Sequence, residues 1–226
     1  MRPSASVTMK LIAVNVGRPR EVESHRRVVR TSIWKRPVSG VVRVTSLNIE
    51  GDEQSDLSVH GGLEKAVYAY PSEHYEYWRR ELPTEDLAWG AFGENFTIEG
   101  LCESDVSIGD RIRVGSAEFL VTQPRTPCFK LGVRFGRDDM VKRFLQSGRS
   151  GFYLAVLREG EVAAGNPIDF AARDGHGVTV ADISALYARD LDDEDLLRRA
   201  IEVPALPESW KDFFRKRLPE QGSDDA

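Results

Sequence analysis

The chain has 226 residues, of which 41% are hydrophobic and 30% are charged, and its net charge is −5 at pH 7. This is the composition of a soluble globular protein rather than a disordered one. The acidic balance argues against non-specific nucleic-acid binding, and no stretch approaches the roughly 20 apolar residues that span a bilayer.

Two cysteines, Cys102 and Cys128, lie far apart in the sequence, so a disulfide framework is not indicated. The N-terminal residues lack the apolar run of a signal peptide. These features predict a cytoplasmic protein with two free thiols, with no membrane partner. Residues 1–8 and 219–226 are predicted to be flexible ends.

Short β-like runs dominate the chain from residue 9 to about residue 170, with Gly, Asp and Pro between them. Gly115 and Ser116 join two of these runs as a hairpin turn. Their number and spacing predict a barrel or a sandwich rather than a doubly wound sheet. The clearest runs are 11–16, 28–34, 41–49, 65–70, 94–98, 110–114, 117–122 and 153–157.

Two helices are predicted within this β-rich part. The first covers residues 72–82 and follows Pro71, a residue that suits a first helical turn. The second covers residues 138–146, which begin with acidic residues and place Val141 and Phe144 on one face.

Residues 171–177 form a predicted linker, and the chain beyond it reads as three short helices. Thr179 is a candidate N-cap for the first helix, Asp192 or Asp193 for the second, and Pro207 opens the third. Helices this short need to pack on each other or on the β-rich part. The predicted domains are therefore 9–170 and a helical segment over 178–218.

Cys128 has the most distinctive setting for chemistry. It follows Pro127 at the predicted start of a helical turn, with Arg125 and Lys130 close in sequence. Peptide dipoles and nearby cations both favour the thiolate, which attacks electrophiles and binds soft metals. The alternative interpretation is a small buried apolar residue. Cys102 lies in a loop without such a setting, and we interpret it as incidental.

Three further segments carry polar residues that a plain β fold would not need. His60 precedes Gly61 and Gly62, where a backbone without side chains permits close approach to a ligand, although a tight turn with an exposed histidine is the alternative. Asn95 and Glu94 follow Gly93. The basic residues form a candidate cationic pocket for a phosphate, or else exposed strand ends: Lys35, Arg36, Arg125, Lys130 and Arg134.

The sequence gives little support for other kinds of catalytic or metal-binding site. The sequence contains no CxxC, HExxH, GxxxxGK[ST] or GxSxG motif, and its four histidines and two cysteines lack the spacing of zinc ligands. The residues therefore predict a β-rich domain with an activated cysteine and no structural zinc site.

Six segments together resemble the MOSC family, the domain related to the C-terminal part of molybdenum-cofactor sulfurases, and specifically its YiiM-like branch. They cover nearly everything from residue 9 to about residue 169, and 178–218 resemble the three-helix segment that follows the domain in that branch. The matching segments are VGRPREVE, TSIWKRPVSG, DLSVHGGLEKAVYAYPSEHYEYW, WGAFGENFTIEGL, IGDRIRVGSAEFLVTQPRTPCFKLGVRFG and SGFYLAVLREGEVAAG.

The resemblance implies a mixed, β-rich fold, a MOSC-type β-barrel with a few peripheral helices and a small C-terminal three-helix segment. It implies that Cys128 is the protein ligand to molybdenum of a molybdenum–molybdopterin cofactor, with Lys35 and His60 sharing the pocket as catalytic residues. The implied pterin and phosphate contacts are Arg36, Asn95, Gln123 and Arg125.

The implied activity is reduction of small N-hydroxylated compounds such as hydroxylamino-purines, a detoxification role. His60 would supply a proton, and an external reductase would return two electrons, because the sequence shows no flavin, haem or iron–sulfur motif. Two alternatives keep the fold: a sulfur carrier with a persulfide on Cys128, or a non-catalytic cofactor-binding protein.

The helical segment also allows a different class of function. A basic end near Lys211 and Arg215 is compatible with a DNA-reading helix, although cations are favoured at any helix C-terminus. The acidic chain and the missing base-reading pattern favour packing or homodimerisation instead.

Overall fold

The computed structural model describes residues 8–24, 26–53, 62–188 and 193–219. Its strands are β1 (Lys10–Val16), β2 (Arg20–Ser24), β3 (Arg27–Thr31), β4 (Arg36–Val38), β5 (Val42–Val44), β6 (Val67–Pro71), β7 (Phe96–Glu99), β8 (Arg111–Val114), β9 (Ala117–Pro124), β10 (Phe152–Arg158), β11 (Gly160–Val162) and β12 (Ile168–Ala172). Its helices are α1 (Glu73–Glu81), α2 (Phe129–Phe135), α3 (Met140–Ser147), α4 (Val180–Ala188), α5 (Glu194–Glu202) and α6 (Glu208–Arg215), and a 3₁₀ turn covers Leu63–Lys65.

Eight strands form the main sheet, in the order β12-β8-β9-β10-β6-β7-β1-β4. All neighbours are antiparallel except β6 and β7, which are parallel. Two small ladders, β11–β5 and β2–β3, lie beside it. The mixed, β-rich class with a helical segment is confirmed.

The predicted closed barrel is wrong, because the strand order leaves β12 and β4 as edges. Only an isolated bridge, between Lys10 and Pro167, and a few backbone bonds such as Leu11 N to Asn166 O connect the start of β1 with the start of β12 in the described chain. Pro167 has no N–H to donate, so a regular ladder cannot continue through it.

Local sequence signals explain several elements. Val114 pairs with Ala117 across the hairpin turn that Gly115 and Ser116 form, as predicted. Gly115 has φ +57°, and a Cβ there would collide with the carbonyl oxygen of Glu161, so both backbone conformation and space require glycine. The two predicted internal helices are present as α1 and α3.

The helical segment begins at the predicted caps. Thr179 Oγ1 accepts a hydrogen bond from Asp182 N at 3.0 Å, and Asp182 Oδ2 accepts one from Thr179 N at 2.9 Å, which is a reciprocal capping box. Asp193 caps α5 by accepting from Leu196 N at 2.9 Å. Asp192, the alternative cap, lies outside the described residues.

Two apolar clusters fill the described fold. The larger one is shared by the sheet and the helical segment, so that Phe119 and Phe152 belong to the same cluster as Leu197 and Phe214. The smaller one is aromatic and lies beneath α1, α2 and α3. Among the described residues, no helix combines the length and the apolar character that crossing a membrane requires.

Candidate functional site

Cys128 lies where the sequence predicts it, at the N-terminal end of helix α2. Buried strand β9 ends at Pro124, and the next four residues lead into the helix. Cys128 is the N-cap, with extended backbone angles of φ −116° and ψ 172°, and its carbonyl accepts from Leu131 N at 2.9 Å. The thiol is half-buried.

A cleft with an empty volume of about 620 Å³ opens beside Cys128. Four basic side chains reach it from three parts of the chain, and one of them, Lys65, was not among the predicted set. The lining residues are Thr31, Ser32, Ile33, Lys35, Asp52, Glu53, Lys65, Tyr68, Gly93, Asn95, Arg125, Cys128, Lys130 and Tyr153. The cleft therefore combines a thiol with cations, as an anionic ligand with a soft metal would require.

Arg125 supplies a buried donor to this cleft. The residue is 7% exposed, and its guanidinium lies 5.2 Å from the ring centre of Tyr68 and 5.0 Å from that of Phe144. Burial raises the pKa of the neighbouring Tyr153, and the charge of Arg125 opposes that shift. Within the described chain its Nη1 has no hydrogen-bond partner. A buried N–H without a partner is costly, so it favours an acceptor bound in the cleft.

Lys35 and Asp52, which also line the cleft, form a buried ion pair with side chains that are 8% and 1% exposed. Asp52 also accepts from Gly17 N at 2.7 Å and from Asn95 Nδ2 at 2.9 Å. Burial lowers the pKa of Lys35, and the charge of Asp52 opposes that shift. One carboxylate thus fixes both Lys35 and Asn95, although the sequence analysis did not select Asp52.

Glu94 holds the loop that brings Gly93 and Asn95 to the cleft. Its carboxylate is fully buried and accepts hydrogen bonds from Gly90 N at 2.8 Å, Phe92 N at 3.1 Å and the hydroxyl of Tyr75. Burial raises the pKa of Glu94, and these hydrogen bonds oppose the shift. Its role is therefore to shape the loop rather than to face the cleft.

We expect the Glu94→Gln variant to flatten the dependence of stability on pH. Since the folded pKa of Glu94 is raised above its ordinary value of 4.5, the native state binds more protons than the unfolded state as pH rises from 4.5 through that raised pKa. The parent should therefore lose free energy of unfolding with rising pH over this window, and the variant should lose less. Urea unfolding at several pH values measures both slopes, and equal slopes would contradict the assignment.

The structure does not bring Arg36 or Gln123 to the cleft. Arg36 is exposed on edge strand β4. Gln123 is buried on β9, where its Oε1 accepts from Trp210 Nε1 at 2.9 Å, so it contacts helix α6 instead. Arg134, a member of the predicted cationic set, also lies outside the cleft lining, with its guanidinium 5.0 Å from the ring centre of Phe135.

His60 lies outside the described residues, together with Gly61. Glu53, which directly precedes that segment, and Lys65, which lies four residues after it, both line the cleft. The role of His60 therefore stays a prediction.

Comparison with known proteins decides the family. Residues 56–169 match the model of the MOSC domain, and residues 178–221 match that of the YiiM-like, 3-alpha helix domain. The chain belongs to the MOSC domain family. The second match spans helices α4 to α6.

Curated relatives and solved structures extend this family match over most of the chain. An uncharacterized protein, YflK of Bacillus subtilis, is 39% identical over 92% of this chain and 93% of its own length. Protein YiiM of Escherichia coli is 38% identical over 83% of this chain and 84% of its own. The crystal structure of YiiM from Geobacillus stearothermophilus superposes with a TM-score of 0.78 at 36% identity, covering 93% of this chain and all of that chain.

A further relative carries a functional name. A Gibberella moniliformis protein named "Reductase" is 32% identical over 84% of this MOSC protein, a match that covers 34% of the fungal sequence. MOSC domains are associated with molybdenum-cofactor binding in general. Family and relative together support an oxidoreductase role related to that cofactor.

Proposed function

We propose that this MOSC protein binds a molybdenum–molybdopterin cofactor in the cleft and reduces small N-hydroxylated compounds, such as hydroxylamino-purines. The observation that carries the proposal is the meeting of one thiol and four basic side chains around a single cleft of about 620 Å³. Such a function would give the protein a role in detoxification.

The residues that line the cleft match the metal end and the phosphate end of the cofactor. Cys128 is the soft donor among the described lining residues, and soft sulfur ligands suit molybdenum. Arg125 offers a buried N–H, while Lys65 and Lys130 add positive charge for the phosphate group. When bound, the cofactor supplies the metal centre at which the N–O bond is reduced by two electrons.

The residues around Cys128 would bind and orient the substrate. Tyr68 and Tyr153 lie with ring centres 5.4 Å apart, and both line the cleft, so they offer apolar faces to a planar base. Asn95 is held by Asp52 and presents a polar edge to the same space. These groups would place the hydroxylamino nitrogen near the Cys128 end of the cleft.

Protons for the departing oxygen would come from groups in or near the cleft. Burial lowers the pKa of Lys35, which makes its ammonium a better proton donor than an exposed lysine. His60 is the second candidate, since its ordinary pKa lies near neutrality. Electrons would come from an external reductase, the proposed protein partner. Homodimerisation is proposed as well, and nucleic-acid binding is not expected.

The proposal is tested by an activity assay on the full chain purified from a host that makes the cofactor. Reduced methyl viologen supplies electrons, 6-hydroxylaminopurine is the substrate, and chromatography measures adenine. We expect adenine formation from cofactor-loaded protein and none above background from the same chain made in a host without the cofactor. Loaded protein that forms no adenine would contradict the proposal. A cyanide-labile sulfur on Cys128, without bound molybdenum, would favour the sulfur-carrier alternative.

A further inference from the structure

A second group of metal-binding side chains lies away from the cleft. His74 is in the first turn of α1, and Cys102 and Glu103 are in the turn that follows β7. One ligand atom from each of the three residues lies within 4.8 Å of the others. His74 Nε2 is 2.7 Å from Glu103 Oε2 and 3.0 Å from Oε1. The histidine and the cysteine are 28 positions apart, which explains why local motif spacing did not detect them.

We propose that His74, Cys102 and Glu103 bind a divalent transition metal ion of the zinc class. Imidazole nitrogen, thiolate sulfur and carboxylate oxygen are the donors that Zn²⁺ prefers. Bonds of about 2.0–2.3 Å in a tetrahedral site place neighbouring ligand atoms roughly 3–4 Å apart. The histidine and the glutamate already lie near this separation, so a small side-chain movement of Cys102 completes the set. Cys102 is half-buried, which leaves room for solvent as a fourth ligand.

The charges that act on Cys102 are mostly acidic, with Glu73, Glu103 and Asp105 on one side of the balance and Arg149 on the other. Burial raises the pKa of the Cys102 thiol to about 12, and the carboxylates of Glu73 and Glu103 add to the shift. The same carboxylates attract a divalent ion, whose charge then stabilises the thiolate.

A plain ion pair between His74 and Glu103 is the competing explanation. It accounts for their contact, since their side chains are 12% and 6% exposed and buried charges are usually paired. An ion pair does not involve the neighbouring Cys102. The two explanations therefore differ in whether the thiol takes part in binding.

The position of the site indicates a structural role. Glu103 Oε1 accepts from Gly151 N at 2.6 Å, just before β10, and Glu103 O accepts from Ala181 N at 3.0 Å, in the first turn of α4. Ser150 Oγ is 3.2 Å from Ser184 Oγ across the same junction. A bound ion would therefore fasten the three-helix segment to the MOSC domain and raise the melting temperature.

Cobalt provides a direct test on the full chain, because a cysteine–Co²⁺ bond gives a near-ultraviolet charge-transfer band. The parent, Cys128→Ser and Cys102→Ser are each titrated with Co²⁺ and then with Zn²⁺. We expect the parent and Cys128→Ser to bind one ion with this band and to melt at higher temperature with Zn²⁺. Cys102→Ser should lose the band and the shift in melting temperature.

Two outcomes would overturn the proposal: no band in the parent, or a band that persists in Cys102→Ser and disappears in Cys128→Ser. Circular dichroism establishes that each variant is folded. If Cys102→Ser does not fold, His74→Gln in the Cys128→Ser background replaces it, with an expected loss of Co²⁺ affinity of at least about tenfold. Unchanged affinity in that variant would also overturn the proposal. Since Cys128 is absent from this background, the result is independent of the function proposed for the cleft.

Discussion

Replacing Cys128 by alanine is expected to reduce the molybdenum content of the protein from near one atom per chain to background. The thiol is the soft donor among the described lining residues of the cleft, and alanine removes the sulfur while it tolerates the same extended backbone. Loss of supporting residues around a metal costs about 10- to 100-fold in affinity, so loss of the ligand itself should cost about 100-fold or more. Elemental analysis of protein from a cofactor-producing host measures the content.

Cys102→Ala is the matched control, because it removes the other thiol of the chain. It should retain molybdenum at the level of the parent, because Cys102 does not line the cleft. Cys128 is half-buried, so its replacement should leave the circular dichroism spectrum unchanged. Equal molybdenum in the parent and in Cys128→Ala would contradict the ligand assignment.

Asp52→Asn is expected to lower the free energy of unfolding by about 3–5 kcal/mol, the typical cost of removing one charge from a buried ion pair. The substitution keeps the shape of the side chain but leaves the ammonium of Lys35 without its anion. Asn95 also loses a carboxylate acceptor, so the wall of the cleft loosens. Urea unfolding of the parent and the variant measures the difference.

Glu53→Gln is the control for Asp52→Asn, since Glu53 is the adjacent acidic residue but is exposed. Its effect should stay within about 0.5 kcal/mol. Lys35→Met, measured alone and in combination with Asp52→Asn, completes a double-mutant cycle. A buried pair predicts a clear coupling energy between the two substitutions, whereas additive effects would contradict direct pairing.

Turns and helix ends were predictable from the sequence, because residues within a few positions of each other determine them. The turn at Gly115 requires a positive φ, and the caps at Thr179 and Asp193 satisfy backbone N–H groups within three residues. Cys128 was placed correctly at a helix start because Pro127 and the following residues carry that information locally.

The assembly of the cleft was less predictable, because it depends on contacts between distant parts of the chain. Asp52 and Lys65 gave no signal in the sequence, since each reads as an ordinary surface charge. Gln123 was assigned to the cofactor, but its amide contacts Trp210, 87 residues away. The barrel prediction failed for a similar reason, as closure depends on which edges pair and not on the pattern of any single strand.

Because the sheet and the helical segment share one apolar cluster, we expect the two parts to unfold together. Phe214 and Leu197 belong to the same buried cluster as Phe119, so separating the two parts would expose apolar surface on both. The junction between the two family matches is therefore not expected to separate two independently folding units. We expect a destabilising substitution on either side of this junction to lower the stability of both parts.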